Sequence, residues 1–149
     1  MDLGKSNDWV LLSDPWFDEQ LDSLEIEVTN RRQRDPQGFI KSNAAKRLRM
    51  IYLLSREIVP IDPSSIHYRL GKTLRSEYKH WRRAKFLQQF RLFFRYDSSS
   101  KIILYSWFND AESLRAYGSK SDAYAIFQKM LDQGNPPNTW VELLDSIKR

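Results

Sequence analysis

From His80 to Asn109 the chain reads HWRRAKFLQQFRLFFRYDSSSKIILYSWFN, and this stretch narrows the possible folds more than any other. Apolar and aromatic residues alternate with cations at period two, and the alternation breaks near Gln88-Gln89 and again at the Asp97-Ser100 segment. The pattern predicts three strands in succession, about 80 to 87, 90 to 96 and 101 to 108. Connections this short permit only antiparallel hairpins.

The segments on either side read as helices. NDWVLLSDP suggests a short strand from Trp9 to Leu12, with Asp14 as an N-cap and Pro15 at the first helical position. Phe17, Leu21, Leu24 and Val28 then recur at helical spacing on a helix that is acidic early and basic at its RRQR end, as the helix dipole favours. After RDPQGF a second stripe follows at Ala44, Leu48, Ile51, Leu53 or Leu54, and Ile58, and stops at Pro60 and Pro63. Towards the C-terminus a helix runs from about Asp122 to Gln133 with Gly134 as its stop, and a last helix is capped by Asn138 or Thr139. The expected fold is α+β: a helical hairpin and C-terminal helices on one face of an antiparallel sheet. At 149 residues the whole chain, 1–149, suits a single domain.

The charge is regional. Residues 69 to 95 hold nine of the 24 basic residues and one of the 19 acids, which leaves the rest of a chain of net charge +5 slightly acidic. Such a segment points to a local anionic partner. The absence of cysteine excludes a disulfide scaffold and any thiolate metal site, and two separated histidines argue against a histidine-based one. No cofactor and no metal is expected. The N-terminus has acids where a signal peptide needs a basic segment, and no apolar run approaches ~20 residues, so a cytoplasmic protein without membrane contact is the expectation.

Strand alternation sorts these charges by face. Trp81, Arg83 and Lys85 lie together on the first long strand, and Arg91, Phe93 and Arg95 on the second, opposite a core face of Phe90, Leu92, Phe94 and Tyr96. The expected result is a cationic sheet surface with Trp81 and Phe93 embedded in it. Cations neutralise phosphate while aromatic faces stack on unpaired bases, a combination suited to single-stranded RNA. Solvated charges that protect a sheet edge from aggregation would give the same composition.

The connected string FRLFFRY…W.ND…LR.YG.K.DAY..F.KML..G.PP..W, with HYRLGKTL and HWRRAKF before it, resembles the YhaV family of bacterial toxins, a branch of the RelE/ParE-like ribonuclease superfamily. The resemblance covers nearly the whole chain and is strongest from Ser64 to Trp140. It implies a type II toxin that cleaves mRNA, free or on the translating ribosome. It also implies inhibition by a PrlF-type antitoxin with an AbrB-like DNA-binding fold, in a hetero-oligomer that meets DNA only through the antitoxin.

Metal-free RNA cleavage deprotonates a 2′-hydroxyl, stabilises charge on the phosphorane and protonates the leaving 5′-oxygen, which leaves a 2′,3′-cyclic phosphate. Arg91 matches the strand arginine that holds the scissile phosphate in RelE-like toxins. Arg83 and Lys85 share its face and are assigned to phosphate binding, with Lys85 a candidate base because clustered cations depress one another's pKa values. In LRAYGSKSDAY, Arg115 and Lys120 are candidates for phosphate contact, and Tyr117 or Tyr124 for stacking on or orienting a base. Tyr124 equally fits ordinary helix packing, and Asp122 an N-cap. Arg69 and Lys72 flank Leu70 and Gly71, where glycine serves a ligand approach or a turn; with Trp81 and Arg95 they complete the expected substrate contacts. His67 and His80 lie away from the cationic face and are not expected to be catalytic. LQQF stands where the family has a glycine-rich turn. A basic module that binds RNA or an acidic partner without cutting it is the alternative function.

Overall fold

The computed structural model describes residues 1–110 and 122–147. Five strands form one sheet in the order β1-β2-β5-β4-β3, where β1 is Asp2–Ser6, β2 Trp9–Ser13, β3 Arg82–Phe86, β4 Phe90–Asp97 and β5 Ile102–Phe108. Strands β3, β4 and β5 fall where the alternation places them. Two features of the strands differ from expectation. A first strand, β1, pairs with β2 through a two-residue turn in which Asn7 and Asp8 both take positive φ, +50° and +69°. Asn and Asp tolerate that conformation, and the twist of such a turn suits a hairpin. DLGKS carries only one large apolar residue, so the turn pair is its only sequence signal. The sheet is also mixed: β2 runs parallel to β5, with Val10 opposite Ile102 and Ser13 opposite Tyr105.

Helix α1, Pro15–Arg34, begins at Asp14, whose carboxylate accepts the Phe17 N–H at 3.0 Å. Helix α2, Asn43–Leu53, begins at Ser42, whose hydroxyl accepts the Ala45 N–H at 3.1 Å. It continues through one π turn, Leu54–Ile58, before Pro60 ends it. The Ser55 carbonyl that this turn leaves accepts the Tyr105 hydroxyl at 2.6 Å, which ties the helix end to the sheet. Helix α3 is Ala123–Asp132, capped by Asp122, and Gly134 (φ +80°) follows it; α4 is Trp140–Asp145, capped by Thr139.

Helices cover both faces of the sheet, not one. On one side Phe17, Leu24 and Ile51 of α1 and α2 pack on Leu92, Phe94, Ile103 and Tyr105. On the other, Phe127 and Leu131 of α3 and Leu143 of α4 pack with Trp81, Phe93, Leu104 and Trp107. Phe127 is the centre of this second core, stacked on Phe93 at 4.2 Å and parallel to Trp107 at 5.8 Å. The face expected to be an open cationic surface is therefore closed over most of its area. Its cations are either drawn into the second core or gathered at the rim where β3 and β4 meet the start of α3.

Candidate active site

Register brings the three strand cations together. Lys85 on β3 stands directly across from Arg91 on β4, and Arg83 lies two residues along the same strand face. The first turn of α3 then delivers Tyr124, because Asp122 accepts the Tyr124 N–H at 3.0 Å and fixes where the helix begins. The Tyr124 ring packs edge-on against Phe93 at 5.7 Å. Its oxygen accepts hydrogen bonds from both arginines, from Arg83 Nε at 2.7 Å and Arg91 Nε at 3.0 Å.

Backbone carbonyls complete the clamp on each guanidinium. Arg91 Nη1 donates to the carbonyls of Gln88 and Phe90 at 2.8 and 2.9 Å. Arg83 Nη1 donates to those of His67 and Arg69 at 3.1 and 2.6 Å. Each arginine is thus held through Nε and Nη1, while its Nη2 makes no hydrogen bond with the described residues. Arg91 is only 6% exposed, so its orientation is set by these partners and not by solvent. Hydrogen bonds from charged donors contribute about 1.5–3 kcal/mol each where water is excluded. Asn109 anchors the strand itself: its side-chain oxygen accepts the Arg91 N–H at 2.7 Å while its amide donates to the Gln89 carbonyl at 3.1 Å. Lys85 is exposed and makes no hydrogen bond or ion pair with the described residues. Two guanidinium ends and one ammonium are thereby offered to an anion on a rigid two-strand platform.

Several expected contacts lie elsewhere. Trp81 is fully buried, edge-on to Phe127 at 5.1 Å, with its indole N–H donated to Asn138 Oδ1 at 3.1 Å, so it has no face on which a base can stack. Arg95 lies inside the second core between the rings of Trp81 and Trp140, 5.5 and 5.7 Å from their centroids, and donates to the Asn138 carbonyl. Burial, and then the charge of Arg82, lowers its pKa from the usual arginine value. Both residues join the last helix to the sheet. Tyr124 is also enclosed, 5% exposed, so it orients the arginines and does not serve as a stacking platform. Arg69, whose carbonyl accepts from Arg83, is exposed, as is Lys72, and Gly71 serves a turn: its φ is +62° and no atom approaches the position a Cβ would take. Arg115, Tyr117 and Lys120 lie outside the described residues.

His67 and His80 are exposed, and His67 enters the site only through its carbonyl. The His80 pKa is lowered by partial desolvation and then by Arg95, Lys79 and Arg82. Sequence reasoning missed Asn109 and the carbonyls of residues 67, 69, 88 and 90. Main-chain acceptors have no side-chain signature, and Asn109 stands in the W.ND segment of the family string without any role attached to it. Among the described residues, no three His, Asp or Glu side chains are grouped to hold a metal ion.

Comparison with known proteins gives a consistent answer. The model of the YhaV toxin family, described as a toxin with endonuclease activity of a toxin-antitoxin system, matches residues 11–148. The ribonuclease toxin YhaV of Escherichia coli strain K12 is 41% identical over 139 residues, covering 92% of this chain and 90% of that one. The toxin YhaV of Escherichia coli O157:H7 matches to the same extent. No solved structure matches the chain.

Proposed function

The chain belongs to the YhaV family of ribonuclease toxins, whose toxin-antitoxin setting implies an antitoxin partner, and from that premise we propose a metal-independent mechanism centred on Arg83, Lys85 and Arg91. The observation that carries it is the shared acceptor: Tyr124 holds both arginines by Nε and leaves both Nη2 groups for a phosphate. In the reaction the substrate 2′-oxygen attacks the adjacent phosphorus, a P–O2′ bond forms and the P–O5′ bond breaks. Arg91 and Arg83 stabilise the charge that accumulates on the phosphorane oxygens. Lys85, at the exposed end of the strand pair, acts in its neutral amine form: its lone pair takes the 2′-hydroxyl proton to give an ammonium, and a second donor gives a proton to the leaving 5′-oxygen. The products are a 2′,3′-cyclic phosphate and a free 5′-hydroxyl. Arg69 and Lys72 contact the flanking backbone.

The substrate in this reading is mRNA, free or on the translating ribosome, and the compartment is the cytoplasm. Among the described residues no helix is long and apolar enough to cross a membrane. The antitoxin is of the PrlF kind, AbrB-like, and supplies any contact with DNA. To test the reaction, purified protein is incubated with single-stranded RNA in EDTA, with and without translating ribosomes, and the fragment ends are identified by mass spectrometry. Cyclic-phosphate ends in EDTA support the proposal. Intact RNA in both conditions, with salt-sensitive binding retained, points to a non-cleaving RNA-binding module.

A further inference from the structure

A second cationic segment lies outside the strands. Residues 31 to 49 carry Arg31, Arg32, Arg34, Lys41, Lys46, Arg47 and Arg49 against a single acid, Asp35. The fold brings one end of this segment to the β3–β4 turn. Lys46 and Arg47 of α2 there face Leu87, Gln88, Gln89 and Phe90 across a cavity of about 420 Å³. No acid lines it.

The cleft has the features of a site. Arg47 is 6% exposed, and its Nε is enclosed without a hydrogen-bond partner. Its guanidinium lies 5.5 Å over the Phe90 ring, and its one ion pair, to Glu27, is long at 3.7 Å. Enclosed and stacked on that ring, the guanidinium gives the cleft wall a fixed positive charge and an unpartnered N–H, which suits the polar edge of a heterocyclic base or its phosphate. The turn is held in an unusual shape: Leu87 and Gln88 take φ +45° and +67°, and Leu87 is left 41% exposed at the cleft mouth. Non-glycine residues kept in that conformation cluster at functional sites. The cleft also touches the proposed active site, because the carbonyls of Gln88 and Phe90 are two of the acceptors that fix Arg91. A neighbouring cavity that shares Arg47 in its lining carries Glu19, Glu27 and Asp110, and its acids disfavour a polyanion there.

We propose that the cleft between the first turn of α2 and the β3–β4 turn is a nucleobase subsite, which takes an unpaired base of the RNA strand close to the cleaved phosphodiester. This rests on the ribonuclease reading and adds a determinant of where the strand is cut. Lys46 and the side-chain amides of Gln88 and Gln89 contact the base edge or its phosphate, and Leu87 closes over the base.

The test uses single-stranded RNA oligonucleotides with an abasic nucleotide placed at each position around the cleavage point, under the condition, free or ribosome-bound, in which wild-type protein cuts. Wild type is expected to lose about tenfold in rate when one particular flanking base is removed. Lys46→Ala and Leu87→Ser, both at exposed positions outside the catalytic set, are expected to cut the intact oligonucleotide about tenfold more slowly and to be insensitive to that same base. Unchanged thermal melting confirms that they fold. An abasic penalty equal to wild type in both variants overturns the subsite while leaving the nuclease intact. So does normal cleavage combined with escape from antitoxin inhibition, which would make the cleft a protein-docking surface. If wild type cuts no RNA in any condition, the ribonuclease mechanism itself fails.

Discussion

Replacing Tyr124 with Phe removes one oxygen atom and leaves the rest of the site in place. The ring keeps its edge contact with Phe93 at 5.7 Å and its position 5.8 Å from the Arg91 guanidinium carbon. The oxygen, however, is the acceptor for two charged donors, Arg83 Nε at 2.7 Å and Arg91 Nε at 3.0 Å. Arg83 is half-buried, so water replaces the lost acceptor there; Arg91 is buried and is left short of one. One such loss in a dry site costs about 1–3 kcal/mol of stability. The catalytic effect is larger than that of a generic core lesion, because both arginines remain present but lose a fixed direction. Misplacement of a catalytic group by ~1 Å costs on the order of 100-fold. Tyr124→Phe is therefore expected to reduce kcat about 10- to 100-fold with KM changed less than about threefold, while unfolding stays cooperative. Steady-state cleavage of a fluorogenic RNA, with a denaturant titration alongside, makes the measurement. A kcat within twofold of wild type would refute positioning by the tyrosine and reduce it to a core residue.

Lys85 separates proton transfer from charge. Lys85→Ala is expected to lower kcat about 100-fold or more, and Lys85→Arg to give no rescue, since arginine keeps the charge but does not deprotonate; recovery by arginine would assign Lys85 to phosphate binding alone. Trp81→Ala should act through folding: a fully buried ring that also ties β3 to Asn138 is lost, at about 3–5 kcal/mol, so the midpoint of unfolding falls while RNA affinity of the remaining folded protein is unchanged. Asp14 predicts a pH effect on stability. It is buried at the start of α1, and burial, followed by the opposing hydrogen bond from Ser106, leaves its pKa raised from 3.8 to about 7. The native state thus holds this proton more tightly than the unfolded chain, so the stabilisation is full at low pH and is lost as pH rises towards about 7. Denaturation at pH 5 and pH 8 should differ by about 3 kcal/mol at most from this group, and Asp14→Asn, which keeps the cap, should flatten the difference; an unchanged profile would show that Asp14 ionises normally.

Local rules explain why some of this was legible in the chain. The strands around Leu92 and Leu104, the Asp14 cap, the Gly134 stop and the grouping of Arg83, Lys85 and Arg91 all depend on periodicity or on a single residue's backbone preference. What escaped depends on distant partners. Strand β1 exists because β2 offers it an edge, and the parallel pairing of β2 with β5 joins segments some 90 residues apart, beyond the reach of any alternation. The cationic face misled for a related reason: Phe93, Trp81 and Arg95 looked like surface until α3 and α4 brought Phe127, Leu143 and Trp140 over them. At the site, Tyr124 reads in the sequence as a base contact or as helix packing; its ring packs in the core, and its hydroxyl accepts from both arginines, a positioning contact that neither reading contained.

The central claim, that an arginine held in the strand pair stabilises the phosphorane, is tested most directly by single-turnover cleavage of one defined RNA by wild type, Arg91→Ala and Arg91→Lys in EDTA. Cleavage by wild type with a 100- to 1000-fold loss in Arg91→Ala, and only partial recovery in the lysine variant, is the predicted result. Equal rates for wild type and Arg91→Ala, with both proteins folded, would contradict it.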